Sequence, residues 1–353
     1  MALAALCLLL CGCCDYRELD RRDIVSGMAV DRGREGYGLL LEVADVTAGS
    51  DDNPQARWLK LRGESLAGAV GSDAGSSGRQ AYLGHAQLVV VGDKTAREGL
   101  DDLLWYLRRT ADVHMTLTPA VAGGEAAALL RGQEGEKIAA FDLARAAVQA
   151  GQSGLAPAMP LYRFISDRHE EGIEGILPCI ARTGDGLAVA GAALFRGDKL
   201  AGRLDIQATQ VLLMARGLLR EGVLTVGAGG QSVAFAVRDC RVRLRTGEKN
   251  GALHAQYDIA LELELSQGGD LSTETRERYE QLARRAVEER FERLFDLLQR
   301  VYGVDALGVG RHIHRSDRAL WRRVGENWPE NFKSCPIAVR ADVVLLGSGR
   351  TLR

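Results

Sequence analysis

Beyond the N-terminal cluster, where Cys11 and Cys14 stand in CxxC spacing, no CxxC pair occurs in this chain, and none of its six histidines stands at a ligand spacing from its seven cysteines, so a metal cage is not expected. A GxxxxGK[ST] loop, a complete GxGxxG at a strand-to-helix junction, a GxSxG elbow and an HExxH pair are all missing, which removes the common routes to nucleotide binding, serine hydrolysis and zinc proteolysis. Charge of one sign is missing too. Lysine plus arginine (45) nearly balances aspartate plus glutamate (47), so no overall field draws the chain to nucleic acid or to anionic lipid. The apolar run Leu3–Cys11 falls far short of the ~20 residues that a membrane-crossing helix needs. These absences point away from an enzyme, a cofactor, a metal and a nucleic-acid partner. What is present is 353 residues of ordinary globular composition, 46% hydrophobic, enough for two or three domains with proper cores.

The N-terminus carries the clearest chemistry. Leu3–Cys11 fits the apolar core of a signal peptide and ends in Leu10-Cys11-Gly12-Cys13, which looks like a lipobox: a leucine, two small residues, then the acceptor cysteine. Cys13 is the expected site of a diacylglyceryl thioether, with residues 1–12 removed as leader. Acyl chains bury methylenes at ~0.8 kcal/mol each and so hold a protein on a membrane without a spanning helix. The leader departs from the usual pattern in having no Lys or Arg ahead of its apolar core. Cys179, Cys240 and Cys335, far apart in the body, are read as buried thiols or as sharing one disulfide.

Along the body, strands are expected over Ile24–Val30 and 37–46 around the turn Arg32–Gly36, a loop over 47–57, and weak helix over Glu64–Ala74. Leu88–Val91 reads as a central strand buried on both faces. A helix follows over Thr95–Arg109, then a small-residue segment Pro119–Gly124 and helices near 125–131 and 136–150. Gly151–Pro160 has linker composition, Leu161–His169 reads as helix, and Ala188–Phe195 and Lys199–Leu204 flank the turn Arg196-Gly-Asp198 before a helix near 206–219. From Leu253 to Leu265 apolar and polar residues alternate strictly, and 231–246 does the same with a phase slip at Arg238-Asp239, as a β-bulge requires; Gly247–Gly251 joins the two. Thr273–Val301 is a long amphipathic helix, and Ile337–Leu345 closes the chain as an alternating strand. The fold class is therefore α+β and multidomain, with mixed and antiparallel sheets packed with helices, divided as 13–185 (one region or two subdomains) and 186–353.

Isolated residues invite catalytic readings that their surroundings do not support. His85, in an apolar strand, is expected to be a hydrogen-bonded core histidine, and His312-Ile-His314 places two imidazoles on one side of a strand without a third ligand. Glu262 and Glu264 lie on a solvated strand face, and Gly308-Val-Gly310 is only a fragment of a glycine fingerprint.

Four stretches in order resemble the Ger(x)C family, the lipoprotein C subunits of nutrient germinant receptors. Gly12-Cys-Cys-Asp-Tyr-Arg-Glu-Leu19 is similar to that family's opening, with Cys14 where the family has tryptophan, and Ile24-Val-Ser-Gly-Met-Ala-Val-Asp31 follows at the proper distance. Tyr82-Leu-Gly-His-Ala86 leading into Val89–Gly92 resembles the signature strand; Leu194–Leu204 and Trp321–Phe332 resemble the later signatures. The resemblance implies three domains, anchorage through Cys13 at the outer face of the spore inner membrane, assembly with two membrane subunits, A and B, and no enzymatic activity. Asp15, Arg17, Glu18, Tyr82, Gly84 and His85 are its motif residues, with roles no motif specifies. A solute-binding lipoprotein serving a transporter is the alternative, and would show two similar α/β lobes around a polar cleft. An exported hydrolase would need a pocket of converging titratable groups.

Overall fold

The computed structural model describes residues 22–347 apart from 46–54, 74, 76–77, 132–136, 185, 229–230, 250 and 269–271. Strand β1 (Arg22–Arg32) turns through Gly36, whose φ of 119° suits glycine, into β2 (Tyr37–Asp45), and β3 (Gln55–Gly63) continues the meander antiparallel. A Cβ on Gly36 would stand 2.3 Å from the carbonyl of Gly63, so the turn is also a close approach. β3 starts inside the stretch expected to be loop, because Ala56 and Leu61 are needed to bury the outer side of β2.

Helix α1 (Leu66–Gly71), capped by Ser65, precedes the short β4 (Gln80–Tyr82), a tight turn Leu83–His85 and β5 (Leu88–Val91). All four residues of β5 are buried, as its uninterrupted apolar run requires of a strand covered on both faces. The helix expected over 95–109 is two, α2 (Asp93–Glu98) and α3 (Asp101–Arg109), because Gly99 adopts φ +133° and breaks it. Pro119–Gly124 supplies β6 (Thr118–Ala122), whose small residues fit between neighbours on both sides and helices above and below. Then come α4 (Ala126–Leu130), α5 (Ala139–Gln152), α6 (Leu161–His169), β7 (Ile176–Thr183), β8 (Gly186–Arg196), β9 (Lys199–Leu204) and α7 (Ile206–Ala215). The sheet runs β3-β2-β1-β5-β6-β7-β8-β9 with β4 beside β1, and its centre β1-β5-β6-β7 is parallel. Gly151–Pro160 is a packed corner instead of a linker: Ala156 and Met159 are buried, and the amide of Gly191 donates to the carbonyl of Leu155.

The second sheet has the order β10-β11-β12-β13, made of β10 (Gly222–Ala228), β11 (Gln231–Lys249), β12 (Ala252–Gln267) and β13 (Ile337–Leu345). Its long hairpin has the expected register shift between Val237 and Asp239. Helix α8 (Thr273–Asp296), prolonged by a π-helical turn over Leu297–Tyr302, covers one face, and Phe235, Tyr257, Phe291 and Phe295 meet there. It also closes the sheet's edge: Glu288 accepts from the amide of Ala341 at 3.0 Å and Glu280 from that of Leu345 at 2.8 Å, so β13 offers its outer amides to its own helix instead of to a second chain. Three short helices, α9 (Val309–Ser316), α10 (Arg318–Val324) and α11 (Trp328–Ser334), lead from α8 to β13. His312 and His314 therefore sit on a helix, not a strand; a two-residue alternation is too short to tell the two periods apart.

Candidate functional site

Of the expected site residues, Cys13, Asp15, Arg17 and Glu18 lie outside the described residues. Tyr82, Gly84 and His85 lie together in the turn that enters β5. The guanidinium carbon of Arg22 sits 4.6 Å above the Tyr82 ring, and the His85 ring meets the same ring edge-on at 5.9 Å. A Cβ on Gly84 would stand 2.4 Å from the Tyr82 ring, so only glycine lets the tyrosine fold over the turn. His85 is exposed, which corrects its reading as a core histidine: Leu83, Ala86 and Leu88 carry the turn's apolar packing and leave the imidazole outside. It lines a cavity of about 540 Å³ with Gly84, His114, Arg145 and Val148.

Three further acids have a different task. Asp31, the last residue of the motif Ile24–Asp31, accepts from the amides of Ala126 (2.9 Å) and Ala127 (2.8 Å) at the start of α4. Glu42, fully buried in β2, accepts from Ala139 (2.8 Å) and Ala140 (2.9 Å) at the start of α5, and from the hydroxyl of Ser26 (2.8 Å). Burial pushes the Glu42 carboxyl above its ordinary value, and these donors pull the other way. Asp305 accepts from Gly308 (2.8 Å), Val309 (3.2 Å) and Gly310 (2.8 Å) at the start of α9, and from the indole of Trp328 (3.0 Å). None of these three helices has a side-chain cap at its own N-cap residue, so each draws its anion from elsewhere in the chain. In an open parallel sheet the helix N-terminus beyond a strand is where an anionic ligand would be received; after β6 the carboxylate of Asp31 already fills that place.

The two sheets meet at a polar joint. Asp167 of α6 pairs with the fully buried Arg216 that ends α7, and Arg311 of α9 approaches Asp167 and Glu170, each at 3.6 Å. The amide of Arg311 donates to the carbonyl of Gly172 at 2.6 Å, where a Cβ on Gly172 would collide with Gly310. The Trp321 ring packs at a tilt against Trp328 at 5.4 Å and against His314 at 5.5 Å, and its indole donates to Glu171. The resulting cleft, about 580 Å³, is walled by Glu170, Glu171, Glu174, Arg196, Trp321 and Trp328. Cys179, Cys240 and Cys335 are free thiols, with no disulfide among them. No group of three or more His, Cys, Asp or Glu among the described residues is placed to hold a metal ion, and no helix among them is long and apolar enough to cross a membrane.

Sequence reasoning missed Glu42 and Asp305 as organising groups. Each left a trace: a lone acid inside the apolar run Leu39–Val43, and an acid three residues ahead of Gly308-Val-Gly310.

Fold and site define a two-sheet α+β protein in which the carboxylates of Asp31, Glu42 and Asp305 serve its own backbone. Residues 15–182 match the family described as "Spore germination protein N-terminal domain", and residues 190–349 match "Spore germination B3/ GerAC like, C-terminal". Spore germination protein B3 of Bacillus subtilis (strain 168) is 21% identical over 92% of this chain and 91% of its own length, and spore germination protein GerQC of Bacillus cereus is 21% identical over 98% and 97%. The crystal structure of the GerBC protein has the same fold, with a TM-score of 0.62 at 18% identity over 94% of this chain and all of that one. The chain belongs to the Ger(x)C family of spore germination proteins, the family of germinant receptor C subunits.

Proposed function

We propose that this chain is the lipid-anchored C subunit of a nutrient germinant receptor, held on the outer face of the spore inner membrane through Cys13. It assembles with the membrane subunits A and B and acts by binding, not by turnover. The observation that carries the reading is the pairing of a lipobox-like Leu10–Cys13 with family matches across both halves of the chain. A binding role is supported by the fate of three acids beneath the surface: the half-buried Asp31 and the buried Glu42 and Asp305 are engaged by backbone amides. The division 13–185 and 186–353 places the cut in the β7–β8 hairpin, between the two family matches. A solute-binding role would call for two similar lobes, whereas the two sheets differ in size, strand direction and helix cover.

The test is membrane partitioning of the wild type and Cys13→Ala in sporulating cells, with recovery of co-expressed A and B subunits. The wild type sediments with membrane and retains both subunits, and Cys13→Ala is soluble or lost from the complex. Unchanged partitioning refutes the anchor; failure to retain either subunit refutes the receptor role.

A further inference from the structure

Strands β1, β4, β5 and β6 run parallel, so their first residues, and the entry of the chain at Arg22, share one end of the large sheet. The same end gathers the loop before β6, the C-terminal half of α5 and the start of α6. The amide of Tyr162 donates to the carbonyl of Met115 at 2.9 Å, and that of Leu161 to Leu117 at 2.8 Å; Val148 and Arg145 share the cavity of His85 and His114. Three large apolar side chains stand out here: Met115 (36% exposed), Val148 (47%) and Tyr162 (53%). Around them are Arg22, Arg109, Arg145, His85 and His114, against the exposed carboxylates of Asp112 and Asp142, the latter in contact with Arg145. Trp105, 62% exposed, lies one turn back along α3 with the Arg109 guanidinium 4.8 Å over its ring.

We infer that this end is a membrane-contact face, resting on an anionic phospholipid surface with Met115, Val148 and Tyr162 entering the headgroup layer and Arg109 and Arg145 meeting lipid phosphates. The inference rests on the anchor at Cys13. Eight residues lie between Cys13 and Arg22, a reach of at most roughly 30 Å over the nine chain steps, so the end at which the chain enters stays close to the bilayer. A face held there by a tether gains from even weak contacts, because the effective concentration of the surface is high. The occupant is bilayer and not a shaped partner because the apolar side chains come from three separate elements with basic groups between them. That pattern suits a fluid surface, and a tyrosine among basic residues is typical of the interfacial layer. The balanced charge of the whole chain is no obstacle, since the field that matters is that of the residues within a Debye length of the lipid.

The test uses the full chain, lipidated, on vesicles of phosphatidylcholine and phosphatidylglycerol doped with a phospholipid bearing a photoreactive diazirine in its headgroup, with labelled peptides mapped by mass spectrometry. Label falls on the peptides carrying Met115, Val148 and Tyr162 and spares the turn Arg32–Gly36 at the far end of β1. In a Cys13→Ala background, Arg109→Gln and Arg145→Gln each weaken vesicle binding about five-fold, from ~1 kcal/mol per basic residue near such a surface. The variant Val148→Glu/Tyr162→Glu, altered only at exposed positions, keeps its melting curve and loses the label. Label spread evenly, or concentrated at Arg32–Gly36, overturns the inference. So does a receptor complex in which these peptides cross-link to the A or B subunit instead of to lipid. The mass of the N-terminal peptide reads the anchor separately: an acylated Cys13 with an unlabelled face sinks the face alone, and an unacylated Cys13 sinks the anchor.

Discussion

Asp305→Ala removes the one carboxylate that receives three backbone amides of α9 and the indole of Trp328. The side chain is only 4% exposed, so water cannot replace it without opening the structure. Losing an N-cap costs up to about 2 kcal/mol, and leaving the Trp328 indole buried without an acceptor costs about 1–3 kcal/mol more. The sum, about 3–5 kcal/mol, is large beside the 5–15 kcal/mol of a typical domain. Asp305→Asn keeps the shape and one acceptor oxygen but turns an amide group toward amide donors, so it loses roughly half as much. Asp317→Ala is the control. It caps α10 through the amide of Leu320 at 2.9 Å from an exposed position, and its loss costs about 1 kcal/mol. The assay is urea unfolding followed by tryptophan fluorescence, since Trp321 and Trp328 report on this joint. If Asp305→Ala falls within about 1 kcal/mol of wild type, or matches Asp317→Ala, the carboxylate is not organising the helices and the reasoning fails.

Asp167→Ala strands the fully buried Arg216 without its counter-ion and destabilises by about 3–5 kcal/mol in urea, whereas Asp167→Leu with Arg216→Met recovers most of the loss; equal destabilisation by both would refute the pairing. Glu42 binds its proton more tightly folded than unfolded, so its contribution favours folding most below pH 4.5 and declines as the pH rises through the raised folded value. The stability advantage of wild type over Glu42→Gln therefore shrinks from pH 4.5 toward neutrality, measured by urea midpoints, and a growing advantage would reverse the assignment. Burial pushes Cys335 up to about 11 and raises Cys179, and the half-buried Cys240 is pushed up to about 12, so all three resist iodoacetamide in the native protein and react once it is unfolded, read by peptide mass; rapid native alkylation of Cys179 or Cys335 would contradict its burial.

What the sequence disclosed was whatever is written locally. The β11–β12 hairpin is legible because strict alternation over a dozen residues and a single phase slip at Arg238 leave no other period to fit. Helix α8 is legible for the same reason. β6 was hidden because a strand covered on both faces has no alternation, and Thr118–Ala122 has only small residues to show. The carboxylate caps were hidden by distance: Asp31 and Ala126 are 95 residues apart, and Glu42 and Ala140 are 98 apart, so no window of sequence contains both donor and acceptor. His85 was misplaced for a related reason. Its neighbours are apolar, but the turn at Leu83–His85 rotates it outward, and that rotation depends on Gly84 admitting the Tyr82 ring.

The family's motif residues thereby acquire a physical meaning different from a contact site. Ser26 supports Glu42, Asp31 caps α4, Gly84 seats Tyr82, and Trp328 completes the shell of Asp305. Gly27 lies so close to α5 that a Cβ would stand 2.4 Å from that of Ala140. Substituting any of these lowers the amount of folded protein, and a destabilisation of 1–2 kcal/mol is enough to change abundance several-fold in cells. A germination defect from such a variant is thus ambiguous between a lost partner and a lost fold. Exposed residues are not ambiguous in the same way: Val148 and Tyr162 support no core, so a defect there at normal abundance identifies a surface in use. For a protein whose buried acids are engaged by its own amides and arginines, as Glu42, Asp305 and Asp167 are, function has to be sought among the side chains that the fold can spare.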